Sequence, residues 1–103
     1  MKAIVEFVII PIGVGISLGK YIARCERILE ESGLNYELHA NGTNVEGEWE
    51  AVFGAIQRCH EVLHAEGIPR IFTTIHVGTR TDRVQSMEDK LTSVQAHMAG
   101  NPE

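Results

Sequence analysis

The densest run of groups able to do chemistry is His39-Ala-Asn-Gly-Thr43-Asn-Val-Glu46-Gly-Glu-Trp49. It brings a hydroxyl, a carboxylate and an indole close together in the chain. If Glu46 faces inward, Thr43, Glu46 and Trp49 lie within one side-chain length of each other. A carboxylate beside an indole suits a flat cationic heterocycle: the carboxylate accepts from ring nitrogens, and the indole face attracts positive charge. The bland alternative is a hairpin with an exposed Glu46 and a core Trp49, and spacing alone leaves both open.

Other constellations are weaker. His60 and His64, four apart, could share one metal, but no Glu stands in an H-E-x-x-H arrangement and no third ligand is implied. Two histidines near a helix C-terminus, where the dipole favours them, explain the spacing equally well. Cys59-His60 are helix neighbours diverging by about 100°, so they cannot meet as nucleophile and base. Of the four serines, Ser17 and Ser86 are explained by capping. Catalysis by His39 or His76 as a general base lacks an evident nucleophile or metal partner, so no enzyme activity, cofactor or metal is expected. Gly13-Val-Gly15 is half of a phosphate loop, without the third glycine and the Gly-Lys-Ser/Thr ending. Its amides with the Ser17 hydroxyl could hold a small polar group. Gly78-Thr-Arg80-Thr-Asp82-Arg83 is a polar, doubly basic loop that reads as solvated, inter-subunit or anion-binding.

The elements that must position these groups alternate. Lys2 to Ile10 is rich in Ile, Val and Phe and reads as a strand ended by Pro11, Gly13 and Gly15. Leu18, Tyr21, Ile22, Cys25, Ile28 and Leu29 form a helical stripe, with Ser17 as N-cap and Gly33 as stop. Leu34 to Ala40 alternates as a half-buried strand, Asn41-Gly42 reads as the hairpin turn, and a short strand over Thr43–Glu46 is broken by Gly47. Trp49, Val52, Phe53, Ile56, Cys59 and Leu63 mark a second helix ended by Gly67. A last strand covers Arg70 to Thr79. Ser86-Met-Glu-Asp89 reads as a capping box for a tail helix with a narrow stripe of Met87, Leu91, Val94 and Met98. Two split βαβ units predict an α+β, ferredoxin-like βαββαβ sandwich with a four-stranded antiparallel sheet and a C-terminal helix. It spans residues 1–99 as one domain, with 100–103 as a flexible end.

Composition narrows the class. The chain has 103 residues, 44% hydrophobic and 22% charged, with a formal net charge of −5. That balance argues against general nucleic-acid binding, and no apolar run reaches the ~18–20 residues of a membrane span. A cytoplasmic protein is expected, with Cys25 and Cys59 as buried small hydrophobes. The second face of the sheet carries Ile4, Val8, Ile10 and Phe72 beside Glu6, Thr74 and His76. One short helix cannot cover four strands, so self-association through that face is expected, most simply about a two-fold axis.

Six segments together resemble a known family. They are Pro11-Ile-Gly, Ser-Gly33-Leu, Leu38-His-Ala-Asn-Gly-Thr43, Val45-Glu-Gly-Glu-Trp49, Val77-Gly-Thr-Arg80 with Thr-Asp82-Arg83, and Ser86-Met-Glu-Asp-Lys90-Leu. In this order they are similar to the small ferredoxin-like thiamine-binding protein family. The resemblance implies non-catalytic binding of thiamine or its hydroxymethylpyrimidine portion at or near a subunit interface of a homodimer or homotetramer. It places the family's motif on Gly42, Thr43, Glu46 and Gly47 and its helix-start serine on Ser17. The expected ligand-binding set is therefore Ser17, Asn41, Thr43, Glu46, Trp49 and Phe7, with Glu46 accepting from the aminopyrimidine. A regulatory or scaffolding oligomer without a small-molecule ligand is the alternative.

Overall fold

Alternation between β-branched runs and 3–4-spaced stripes becomes seven elements in the computed structural model, which describes residues 1–100. They are β1 (Lys2–Pro11), α1 (Gly19–Ser32), β2 (Asn35–His39), β3 (Gly42–Glu48), α2 (Trp49–Ala65), β4 (Ile71–Thr79) and α3 (Met87–Met98). The sheet order is β2-β3-β1-β4 with every neighbour antiparallel. This is the ferredoxin-like α+β sandwich expected from the element order. Of the tail expected to be flexible, residues 101–103 lie outside the described residues.

β1 is central because one of its faces is wholly apolar. Ala3, Val5, Phe7 and Ile9 alternate inward and are buried, as is Val45 opposite Val5 on β3. They meet Cys25, Ile28 and Leu29 of α1 and Val52, Ile56, Cys59 and Leu63 of α2, forming one core between sheet and helices. Both cysteines are fully buried free thiols; Cys59 Sγ donates to the Cys25 carbonyl at 3.9 Å, and the neighbouring Cys59 thiol together with burial pushes the Cys25 thiol up. His60 Nε2 lies 2.6 Å from Thr73 Oγ1, tying α2 to β4, and His64 Nδ1 lies 2.7 Å from the Ile68 carbonyl in the loop that joins them. Among the described residues no group of three or more His, Cys, Asp and Glu is placed to hold a metal. No helix among them is long and apolar enough to cross a membrane.

Three local expectations are corrected. The α1 N-cap is Leu18, whose carbonyl accepts from the Tyr21 and Ile22 amides; Ser17 is exposed one residue earlier and caps nothing. The hairpin turn is Ala40–Asn41, since His39 pairs with Gly42, and neither turn residue has positive φ. Gly42 is instead the first residue of β3. A Cβ there would stand 3.1 Å from both the Phe7 carbonyl oxygen and Val8 Cγ2, so glycine permits the close approach to β1. Gly47 does not break β3 but pairs with Ala3 and leaves room for Leu34, whose Cδ2 would lie 2.7 Å from an added Cβ. The capping box at Ser86 forms as expected, with Ser86 Oγ accepting from the Asp89 amide and Asp89 Oδ2 from the Ser86 amide.

The second sheet face carries a polar centre between apolar flanks. Glu6 lies between Asn44 and His76 in register, and its two oxygens approach His39 Nε2 at 3.3 Å and His76 Nδ1 at 3.1 Å. α3 reaches only one corner of this face, where Met87 and Leu91 border a depression with Ile4 and Glu6. It buries no residue of its own. Phe72 (61% exposed) and Val94 (57%) stay open to solvent.

Candidate functional site

β1 outruns its neighbour at one end, and this mismatch makes the site. Pairing of β1 with β3 ends at Phe7↔Thr43, whereas pairing with β4 continues to Pro11↔Ile71. Beyond Phe7 the space beside β1 is bounded by the β2–β3 hairpin and the first turns of α1. The result is a groove of about 580 Å³, walled by Phe7, Ile9, Leu18, Ile22 and Leu38, with His39 and Asn41 on the hairpin side. That volume lies within the ~300–1,000 Å³ usual for small-molecule sites, and an apolar lining with few polar groups is their usual chemistry.

Besides His39 and Asn41, the groove is lined by two polar residues that bond to each other, Thr43 and Glu26. Thr43 faces the helices beside Phe7 and is 3% exposed, and its Oγ1 donates to Glu26 Oε2 at 3.0 Å. The other carboxylate oxygen, Glu26 Oε1, is buried and has no hydrogen-bond partner. Burial pushes the Glu26 carboxyl above its ordinary range, and the Thr43 bond partly offsets this. A buried acceptor without a donor costs about 1–3 kcal/mol. A ligand N–H placed at Oε1 would relieve that cost, and a cationic one would gain most.

The sequence-expected residues divide between two places. Phe7, Asn41 and Thr43 line the groove. Glu46 does not, because residues three apart on a strand fall on opposite faces. It projects from the second face and is 7% exposed. Its Oε1 accepts from Asn35 Nδ2 at 2.6 Å and its Oε2 from the Met87 amide at 2.8 Å, with Lys2 Nζ 3.9 Å away. The proposed neighbourhood of Thr43, Glu46 and Trp49 therefore does not form. Trp49 opens α2, stacks on Phe53 with centroids 4.6 Å apart, and donates its amide to the Met1 carbonyl. Ser17 also lies outside the lining, although Leu18 and Gly19 belong to it.

Sequence reasoning missed Glu26. The signal was present: it stands four residues after Ile22 and three before Leu29, an acid on the apolar stripe of α1.

Comparison with known proteins gives the family. A family profile described as thiamine-binding protein matches residues 5–95. The chain belongs to the thiamine-binding protein family. Among its relatives is the UPF0045 protein sll0230 of Synechocystis, 50% identical over 95 residues, covering 92% of this chain and 78% of that protein. The crystal structure of hypothetical protein MJ1052 from Methanocaldococcus jannaschii has a TM-score of 0.84 at 26% identity, covering 91% of this chain and 96% of the other. A Thermotoga maritima protein provisionally assigned to thiamine biosynthesis or salvage has a TM-score of 0.77 at 20% identity, covering 91% and 99% of the two chains; it shares the fold. In this member of the thiamine-binding family, the groove beside Glu26 is the place where a carboxylate retains an unused acceptor.

Proposed function

We propose that this protein binds thiamine, or a related small aromatic cation carrying the hydroxymethylpyrimidine group, in the groove between β1, α1 and the β2–β3 hairpin, without catalysis. The observation that carries the reading is the buried, unpartnered Oε1 of Glu26 at an apolar groove in a chain of the thiamine-binding family. Glu26 accepts from the aminopyrimidine, Thr43 holds that carboxylate in place, Phe7 and Ile22 supply apolar walls, and Asn41 lies on the rim. Glu46, Trp49 and Ser17 drop out of the ligand shell.

The test is calorimetry with thiamine on the wild type and on Glu26→Gln, with a thermal shift beside it. Ligand at one hundred times Kd stabilises by about 2.7 kcal/mol, which a melting curve resolves. Absence of binding to the wild type would overturn the reading.

The apolar flanks of the second face support self-association as a homodimer or homotetramer. Phe72 and Ile10 on the sheet and Leu91 and Val94 on α3 all remain exposed. Light scattering at micromolar concentration checks this, and a monomer would refute it. The groove is built from one chain, so ligand binding and association can fail independently.

A further inference from the structure

A second hollow lies on the opposite face, at the other end of β1. Its volume is about 180 Å³, and it is enclosed by the start of β1, the end of β4 and the loop into α3. Lys2, Arg80, Arg83 and Lys90 line it, four of the nine Lys and Arg residues of a chain whose net charge is −5. No acid lines it, and Ile4 and Val84 supply its apolar wall.

The acids around the hollow are already engaged. Asp82 takes Arg80 Nε at 2.6 Å and Nη2 at 2.8 Å, while Gln85 Oε1 accepts from Arg80 Nη1 at 2.7 Å. These bonds orient the Arg80 guanidinium and hold the Asp82 carboxyl low, at about 2. Asp89 is committed to the Ser86 amide and Glu46 to Asn35 and the Met87 amide. Lys2 meets Glu46 only at 3.9 Å. Among the described residues Arg83 and Lys90 have no ion-pair partner. Two of the three amides in the first turn of α3 are already taken, that of Asp89 by Ser86 Oγ and that of Met87 by Glu46. The side chains, not the helix end, make the site.

From this convergence we infer that the hollow binds a phosphate dianion, either free or as the head of a small ester whose body rests on Ile4 and Val84. Arginine forks and lysine ammonium groups are the side chains that hold phosphate oxygens by charge-assisted hydrogen bonds. The site is independent of the Glu26 groove, which shares none of its lining residues.

The experiment is an amide-resolved NMR titration with inorganic phosphate and, separately, with glycerol phosphate, at constant ionic strength maintained with chloride. Saturable shifts confined to Gly78, Thr79, Val84, Gln85 and Lys90 are expected. The exposed pair Arg83→Gln with Lys90→Gln should lower the affinity about tenfold or more. Equal affinity for the two probes identifies the phosphate group as the ligand, and tighter glycerol phosphate binding identifies the ester. Shifts that grow linearly without saturating, that scatter over the surface, or that survive in the double variant would overturn the inference.

Discussion

Two carboxylates separate the two sides of the sheet. Glu46 is the more deeply buried, yet Asn35 and the Met87 amide occupy its oxygens, so it acts as a structural bracket between β2, β3 and α3. Glu26 is only half-buried, but one oxygen lies buried without a donor. Burial by itself therefore does not leave an acid free to accept from a ligand; what does is the number of donors the fold leaves unsupplied. The motif-bearing strand supplies both sides, sending Thr43 to Glu26 and Glu46 to the base of α3.

The sharpest way to break this contrast is Glu46→Ala. It strands Asn35 Nδ2 and the Met87 amide, and two lost hydrogen bonds to a charged acceptor are together worth about 3 kcal/mol or more. Urea unfolding should show that loss, while thiamine affinity measured under folding conditions stays within about twofold. Loss of thiamine binding by a folded Glu46→Ala protein would return Glu46 to the ligand shell. The next effect belongs to the other carboxylate. Glu26→Gln keeps shape and removes charge, and it should weaken thiamine about tenfold, the value of one charge-assisted hydrogen bond. Calorimetry that finds unchanged affinity would remove Glu26 from the site.

How much of this was legible follows from what each residue answers to. The stripes of α1 and α2, the alternation of β1 and the Ser86 capping box depend on local periodicity, and the chain adopts them as read. The turn did not follow, because Gly42 answers to a tertiary demand. Its place is set by the Phe7 carbonyl and Val8 on a neighbouring strand, not by a turn's need for positive φ. Gly47 misled in the same way: Leu34 packs over it inside a continuing strand. Of the groove's lining, Thr43 and Asn41 are legible from the hairpin and Phe7 from the alternation of β1, whereas the strand pattern points to Glu46 as the acid. The groove's acid comes from α1, seventeen residues earlier in the chain than Thr43, and only the packed structure joins them.

A smaller effect probes the hairpin that closes the groove. Gly42→Ala introduces a methyl 3.1 Å from the Phe7 carbonyl oxygen and from Val8 Cγ2, so the hairpin must move away from β1 by a few tenths of an ångström. A loss of about 1 kcal/mol is expected by urea unfolding, in the range of modest overpacking. Because the hairpin carries Asn41 and Thr43, thiamine affinity should fall with it. The corresponding change on the other side, Gly78→Ala, meets nothing within 4 Å and needs no left-handed backbone, so it should stabilise by about 0.4–1 kcal/mol and leave thiamine affinity unchanged.

The smallest effect is the pH dependence of the unliganded protein. Burial raises the Glu26 carboxyl above its ordinary 4.5. The folded state thus holds this proton more tightly than the unfolded state, and the stability Glu26 contributes is fully present below pH 4.5. It is lost as the pH rises through the folded value, where the charge must form against desolvation. Glu26→Gln has no such proton to lose. The unfolding free energy of the variant should therefore gain on the wild type as pH climbs from 4.5 toward neutrality, with the difference flat above the folded value. Urea titrations of both proteins at several pH values measure it. A gap that instead narrows with rising pH would mean that Glu26 is better paired in the folded chain than its lone Thr43 bond allows, and the groove would then hold no unused acceptor for a ligand.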